Sequence, residues 1–230
     1  MRGITTTGIV LARTDFQEAD RIITVLTPDY GKLRLMAKGV RRERSKLAAG
    51  IELFSVSNIT FLPGRKEIGT LISSRLLTHC AEIVRDINRT MLGYDLLKRV
   101  NRATEDNTGP EYFELLENAM RGLNDGQVSL ELLELWFSMQ LLKISGHTPN
   151  LKSADTGEML SEKASYVFDF DATAFHQQAK GPFKSNHIKL LRLVYGLDDP
   201  IPLKQVEGAD TYAKPTLALA KNILRQYVRS

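Results

Sequence analysis

Cysteine is almost absent: Cys80 is the only one in 230 residues, so no disulfide can form within the chain. Scarce thiol suits a reducing compartment, and Cys80 itself reads as a small buried residue. No apolar run is long enough to span a bilayer, which argues against a membrane protein. The start, Met1-Arg2-Gly3-Ile4 followed by three threonines, lacks the apolar stretch of a signal peptide. A cytoplasmic location is therefore expected. No Gly-Lys-Ser/Thr loop is present to cradle phosphate, which argues against an NTPase. Serine and cysteine nucleophile motifs are missing as well. The histidines, His79, His147, His176 and His187, are scattered with no local ligand spacing. No cofactor, metal or catalytic residue is expected from these patterns. Large aromatics are few in the first third, namely Phe16, Tyr30, Phe54 and Phe61, and Phe54 and Phe61 read as core. The stacking platform common to single-strand binders is correspondingly thin.

What the chain does have is an ordinary globular composition, with 43% hydrophobic and 25% charged residues. It can bury a core without disulfides or metal. The net charge of +4 is distributed unevenly. Residues 1–79 hold 13 Lys and Arg against 7 Asp and Glu, whereas the remainder holds 18 against 20. A concentrated positive field is the footprint of a polyanionic partner.

The same first third reads as strands. Thr5 to Arg13, Arg21 to Leu26, Lys32 to Lys38, Ile51 to Leu62 and Gly69 to Leu77 are β-branched or alternating runs. In the third, Leu33, Leu35 and Ala37 face one way, and Lys32, Arg34, Met36 and Lys38 the other. Pro28-Asp29-Tyr30-Gly31 and Pro63-Gly64-Arg65-Lys66 are turns. A basic loop, Gly39 to Lys46, follows the third strand. Five short strands with an insertion after the third predict a small Greek-key barrel of OB type. The period then becomes helical. Val84, Ile87, Met91, Tyr94 and Leu97 predict a helix over about 82–102, and Phe113, Leu116, Met120 and Leu123 a second. Ser129 caps a third, Leu130 to Ile144, apolar on nearly every side and carrying the only tryptophan, Trp136. A short helix from Asn186 to Tyr195 and a last one after Pro215 complete the chain. The expected class is α+β: a five-stranded OB-type barrel over residues 1–79, then an all-helical domain over residues 80–230 with an irregular segment at about 146–185.

Lys32, Arg34, Lys38, Arg41, Arg42, Arg44 and Lys46 lie within 15 residues, opposed only by Glu43. With Arg65 and Lys66 of the later turn, they are the candidate DNA-binding residues. Phosphate neutralisation by such a surface needs no base sequence, and guanidinium forks suit phosphate geometry. The plain alternative is a solvated basic face. Asp169 and Asp171 share one face of a short strand and would suit a metal-dependent nuclease, but no third acid stands at a matching spacing. Solvated strand edge is the better reading of that pair. An OB-type RNA-binding protein of the translation machinery is the other alternative, since phosphate contacts do not separate DNA from RNA.

Several stretches carry a family resemblance. They are Gly8-Ile9-Val10-Leu11, Glu18 to Thr27, Tyr30-Gly31-Lys32-Leu33, Ala37 to Arg42, and Ser45-Lys46-Leu47, followed by Leu141 to Pro149 with its Gly-x-x-Pro segment. In this order and spacing the chain resembles the RecO family of bacterial recombination mediators. The resemblance implies a protein that binds single- and double-stranded DNA and anneals complementary strands. It implies action with RecR in loading RecA onto strands coated by single-strand-binding protein (SSB), and contact with the C-terminal tail of SSB through the helical domain. An acidic tail with apolar end residues needs an apolar groove rimmed by cations. Lys98 and Arg102, beside Arg99 at the end of the first helix, and Arg121 and Lys143 near the ends of the second and third, are the candidates. Helix C-termini also favour cations on their own account. Many family members carry a zinc site beginning with Cys-x-x-Cys-Gly. Here the corresponding stretch is Ser153-Ala154-Asp155-Thr156-Gly157, with both thiols gone, so the site is expected to be lost.

Overall fold

A computed structural model describes residues 3–64, 67–105 and 108–228. The chain groups into two compact units, residues 1–124 and 125–230. The first contains five strands: β1 (Ile4–Phe16), β2 (Asp20–Thr27), β3 (Gly31–Ala37), β4 (Ser55–Leu62) and β5 (Ile68–His79). They close in the order β1-β2-β3-β5-β4. All neighbours pair antiparallel except β3 and β5, which close the barrel through three parallel pairs, Arg34 with Ile68, Leu35 with Gly69 and Met36 with Thr70.

Strand alternation fills the barrel. Val10, Ile23, Val25, Leu35, Ala37, Ile59, Phe61 and Leu71 form one buried cluster, joined from the β3–β4 connection by Val40 and Ile51. Ile9, Leu26 and Val56, matched across β1, β2 and β4, are buried outside that cluster. Helix α1 (Ile87–Ala103) packs on β1. Its Gly93 admits the ring of Phe54 so closely that a Cβ there would lie 2.7 Å from a ring carbon. Asp86 caps the helix, accepting from the backbone N–H groups of Asn88 (2.8 Å) and Arg89 (2.9 Å). Helix α2 (Pro110–Asp125) buries Phe113, Leu116, Met120 and Leu123, the stripe its spacing predicts.

The stripe expected to bury α1 does so only at Leu97. Ile87, Met91 and Tyr94 are 70%, 64% and 50% exposed, and Val84, in a short turn before the helix, is 56% exposed. Gly93, Leu96, Leu97 and Val100 face inward. Two apolar stripes share this helix, and periodicity cannot choose between them. The close approach at Gly93 selects the second.

In the second unit α3 (Leu130–Ile144) is central, as its all-round hydrophobicity predicts, with Trp136 only 1% exposed. Trp136 Nε1 donates to Leu197 O at 2.7 Å, and Gln140 Nε2 donates to Val194 O at 2.8 Å, satisfying carbonyls at the end of α4 (Ser185–Gly196). The segment read as irregular at about 146–185 holds a sheet, so this unit is not purely helical. Its strands are β6 (Asn150–Ala154), β7 (Ser165–Asp169), β8 (Ala174–Gln177) and β9 (Phe183–Lys184), in the order β6-β8-β7-β9. Strands this short show little alternation. They are held by edge-on contacts of Phe168 with Phe170 and Phe175, each at 5.2 Å. Helix α5 (Ala209–Tyr227) begins before Pro215 rather than after it. The buried Thr216 hydroxyl contacts the Tyr212 and Ala213 carbonyls near the proline.

Candidate nucleic-acid interface

The basic loop is pinned at both ends by the barrel. On the near side, Gly39 N donates to Asp20 Oδ1 at 2.7 Å and Arg41 N donates to Ala19 O at 3.0 Å. Val40, 4% exposed, inserts into the core between them. On the far side, Ser74 Oγ donates to Leu47 O at 2.9 Å, and Ile51 is fully buried. Inside, Arg42 N donates to Gly39 O and Ser45 N to Arg42 O, at 3.2 and 3.0 Å. The backbone is anchored, and the side chains of Arg41, Arg42, Glu43, Arg44 and Lys46 stand exposed.

The acidic groups of this barrel rim divide the cations into two sets. Asp15 accepts from Arg21 Nε at 2.7 Å and lies 3.6 Å from Arg41. The Arg21 hydrogen bond holds the Asp15 carboxyl below the usual carboxylate range, with the nearby Arg41, Arg21 and Arg13 charges acting in the same direction against partial desolvation. Arg13 pairs with Glu52 at 2.8 Å, and Arg34 stands 3.9 Å from Glu67. Lys38, Arg42, Arg44 and Lys46 are exposed and make no ion pair among the described residues. A phosphate meets these four without displacing an acid. Arg65 and Lys66 lie outside the described residues.

Lys32 has a different employment. Its ammonium donates to Asn101 O at 2.9 Å and to Thr104 O, the last carbonyls of α1. Such groups have no partner within a helix and favour positive charge. The alternation that places Lys32 beside Arg34 is real, but helix α1 ends over it. No sequence signal links position 32 to positions 101 and 104.

The remaining candidates scatter. Lys98 and Arg102 are exposed one turn apart on α1, and Arg121 is exposed on α2. Lys143, in the other unit, lies over the Tyr195 ring at 5.1 Å and 3.8 Å from Asp198. Nearby in that unit, Thr148, Pro149, Leu151, Lys152, Arg192 and Tyr195 line a cavity of about 290 Å³. Arg192 and Lys152 escaped the sequence reading because helix α4 and strand β6 bring them together only in the fold.

Asp169 closes a turn, accepting from the backbone N–H groups of Asp171 (2.8 Å) and Ala172 (3.0 Å). Burial pushes the Cys80 thiol up, and the Glu117 charge adds to this, so both act against the thiolate. Among the described residues no group of three or more His, Cys, Asp or Glu could hold a metal ion. The stretch corresponding to the zinc segment does not fit zinc either. Ser153 Oγ accepts from Asn150 Nδ2 at 2.9 Å, and His176 Nδ1 lies 2.8 Å from Asp155. Ala154 N and Gly157 N close the turn on Glu158 O and Ala154 O, at 2.7 and 2.9 Å. No described helix is long and apolar enough to cross a membrane.

A closed five-stranded OB-type barrel with a basic loop at its rim, followed by a mainly helical region, suits a protein that binds nucleic acid. The chain belongs to the recombination protein O family: residues 1–79 match its N-terminal and residues 84–229 its C-terminal description. It is 27% identical to the DNA repair protein RecO of Dehalococcoides mccartyi over 95% of this chain and 88% of that one. With the DNA repair protein RecO of Halalkalibacterium halodurans it shares 29% identity over 96% and 86%. With that of Listeria monocytogenes serotype 4b it shares 29% over 82% and 75%.

The hydrogen-bonded turn at residues 153–158 generates a prediction about metal. The purified protein is expected to contain no stoichiometric zinc, and a chelator is expected to leave its melting temperature unchanged. One tightly held zinc per chain by elemental analysis would contradict this.

Proposed function

We propose that the chain is a non-enzymatic mediator that binds single- and double-stranded DNA and anneals complementary strands. With RecR, it helps load RecA onto SSB-coated DNA. The observation that carries this reading is the set Lys38, Arg42, Arg44 and Lys46, without ion pairs among the described residues and in or beside an anchored loop, in a chain of the recombination protein O family. Two strands that pair must bring their phosphates together against mutual repulsion. A basic loop screens that repulsion while base edges stay free to pair, and no covalent chemistry is required. Such contacts also admit duplex, since they read backbone charge. Family membership favours DNA over RNA as the strand bound.

The tail of SSB is assigned to helix α1 on one further feature. Ile87, Met91, Tyr94, Lys98 and Arg102 recur at helical spacing and all are exposed, apolar at the start and cationic at the end. An acidic peptide ending in apolar residues finds both halves of its complement on one stripe. Arg121 lies on another helix, and Lys143 is held by Tyr195 and Asp198.

Two measurements test these readings. Wild-type protein is expected to accelerate annealing of complementary oligonucleotides coated with SSB. The variant Arg42→Ala, Arg44→Ala, Lys46→Ala should lose most of that acceleration while keeping its melting temperature. Equal rates in the folded variant would remove the loop from the mechanism. For the tail, Lys98→Glu with Arg102→Glu should weaken binding of a fluorescent SSB tail peptide about tenfold, the scale of a few partly exposed charge contacts. Undiminished binding would move the tail to the cavity around Arg192 and Tyr195.

A further inference from the structure

A cavity of about 500 Å³ opens on the barrel between β3 and the β4–β5 turn, and its walls are of a particular kind. Tyr30, Phe61 and Pro63 supply apolar surface, and Gly64, Gly69, Arg34 and Glu67 stand in its lining. The volume falls in the range of small-molecule sites, about 300–1,000 Å³. Gly69 lets β5 pass close to the end of β4 at the edge of the cavity, where a Cβ would lie 2.8 Å from Leu62 O.

Tyr30 is held there rather than merely exposed. Its backbone N–H donates to Thr27 Oγ1 at 3.0 Å, and that hydroxyl donates to Gly31 O at 3.0 Å. Asp29, beside it in the turn, accepts from Thr6 Oγ1 at 2.7 Å on β1. The Tyr30 ring meets the buried Phe61 ring edge-on at 5.9 Å and 81°, and remains 44% exposed. An aromatic ring fixed at its backbone and supported by a core ring loses little freedom on binding.

We propose that this cavity takes one unstacked nucleobase of single-stranded DNA, stacked on the open face of Tyr30, with the adjoining phosphate on Arg34. The proposal rests on the DNA-binding reading above and adds a preference to it. Phosphate contacts at the loop serve single and double strands alike. A base can enter the cavity only when it is free of its own stack. The Arg34–Glu67 pair does not obstruct this, because at 3.9 Å and with side chains 48% and 82% exposed it yields readily to a phosphate. The Glu67 carboxylate then accepts from exocyclic amino groups, which adenine, cytosine and guanine offer and thymine lacks. The structure thus separates a strand-neutral loop from a single-strand-selective cavity on the same barrel.

The test uses three ligands of equal length and the whole chain: a mixed-sequence single strand, the same strand with abasic sites throughout, and the matching duplex. Binding is read by fluorescence anisotropy at one salt concentration. Wild type should prefer the intact single strand to the abasic one. Tyr30→Ala should lose about tenfold for the intact strand, the scale of one base stacked on an aromatic ring. Its affinity for the duplex and the abasic strand should stay within about twofold. Tyr30→Leu keeps an apolar contact with Phe61 but removes the ring, and should match Tyr30→Ala; Tyr30→Trp should bind like wild type. A wild-type ratio of intact to abasic binding in both Tyr30→Ala and Tyr30→Leu overturns the proposal, while leaving the loop reading intact. The converse pattern is also distinguishable. If the loop variant keeps full affinity for all three ligands while Tyr30→Ala loses the intact strand, the loop reading fails and the cavity stands. A wild-type protein that binds none of the ligands overturns both.

Discussion

The barrel must be closed at the end where β3 runs out, and that requirement shapes the interface. Strand β3 ends at Ala37 and β4 starts at Ser55, so the connection crosses the barrel end. It does so with Val40 and Ile51 inserted into the core and Leu47, Ala48 and Leu53 packed against it. Burying these side chains fixes both ends of a short arc of backbone. The residues between have no core to join, so they face water, and they are mostly arginine and lysine. Burying apolar side chains such as Val40 and Ile51 contributes about 1.5–3 kcal/mol each. The same burial that stabilises the barrel presents the charges.

Not every cation of the first third has the same role, and partners decide which is which. Arg13, Arg21 and Arg41 are matched by Glu52 and Asp15, and Lys32 terminates α1. Surface pairs of this kind contribute little to stability, but they remove positive charge from what a polyanion meets. Among the described residues, what remains is Lys38, Arg42, Arg44 and Lys46 in and beside the loop, with Arg75 exposed on β5. Arg34 lies between the two sets, weakly paired and next to the cavity under Tyr30.

How much of this was readable from sequence follows from the reach of each interaction. The barrel was legible because the end of β3 buries alternate residues, Ile23 and Val25 of β2 do the same, and the turn between the strands is marked by Pro28 and Gly31. Helix α3 was legible because it is apolar all round. The sheet of β6 to β9 was not, since its strands are two to five residues long and depend on aromatic contacts across the sheet. The inward face of α1 was misread because a glycine that admits Phe54 outweighs three larger apolar residues, Ile87, Met91 and Tyr94. The cations of the loop were visible as a run of charge. That Arg41 is already matched, and Lys32 on β3 with it, was not, because Asp15 and the end of α1 reach them only through the fold. Tyr30 looked like one of few aromatics, and only its edge contact with Phe61 and the cavity beside it distinguish it.

The central claim is that Arg42, Arg44 and Lys46 meet DNA phosphates directly. Each such contact releases counterions and contributes about 0.7–0.9 to the slope of log affinity against log salt. The most direct measurement is that slope, for one oligonucleotide, in wild type and in the triple alanine variant. The account predicts a slope shallower by about 2–3 in the variant, with a similar affinity loss for unrelated sequences. An unchanged slope in a folded variant would contradict it and place the phosphate contacts elsewhere on the protein.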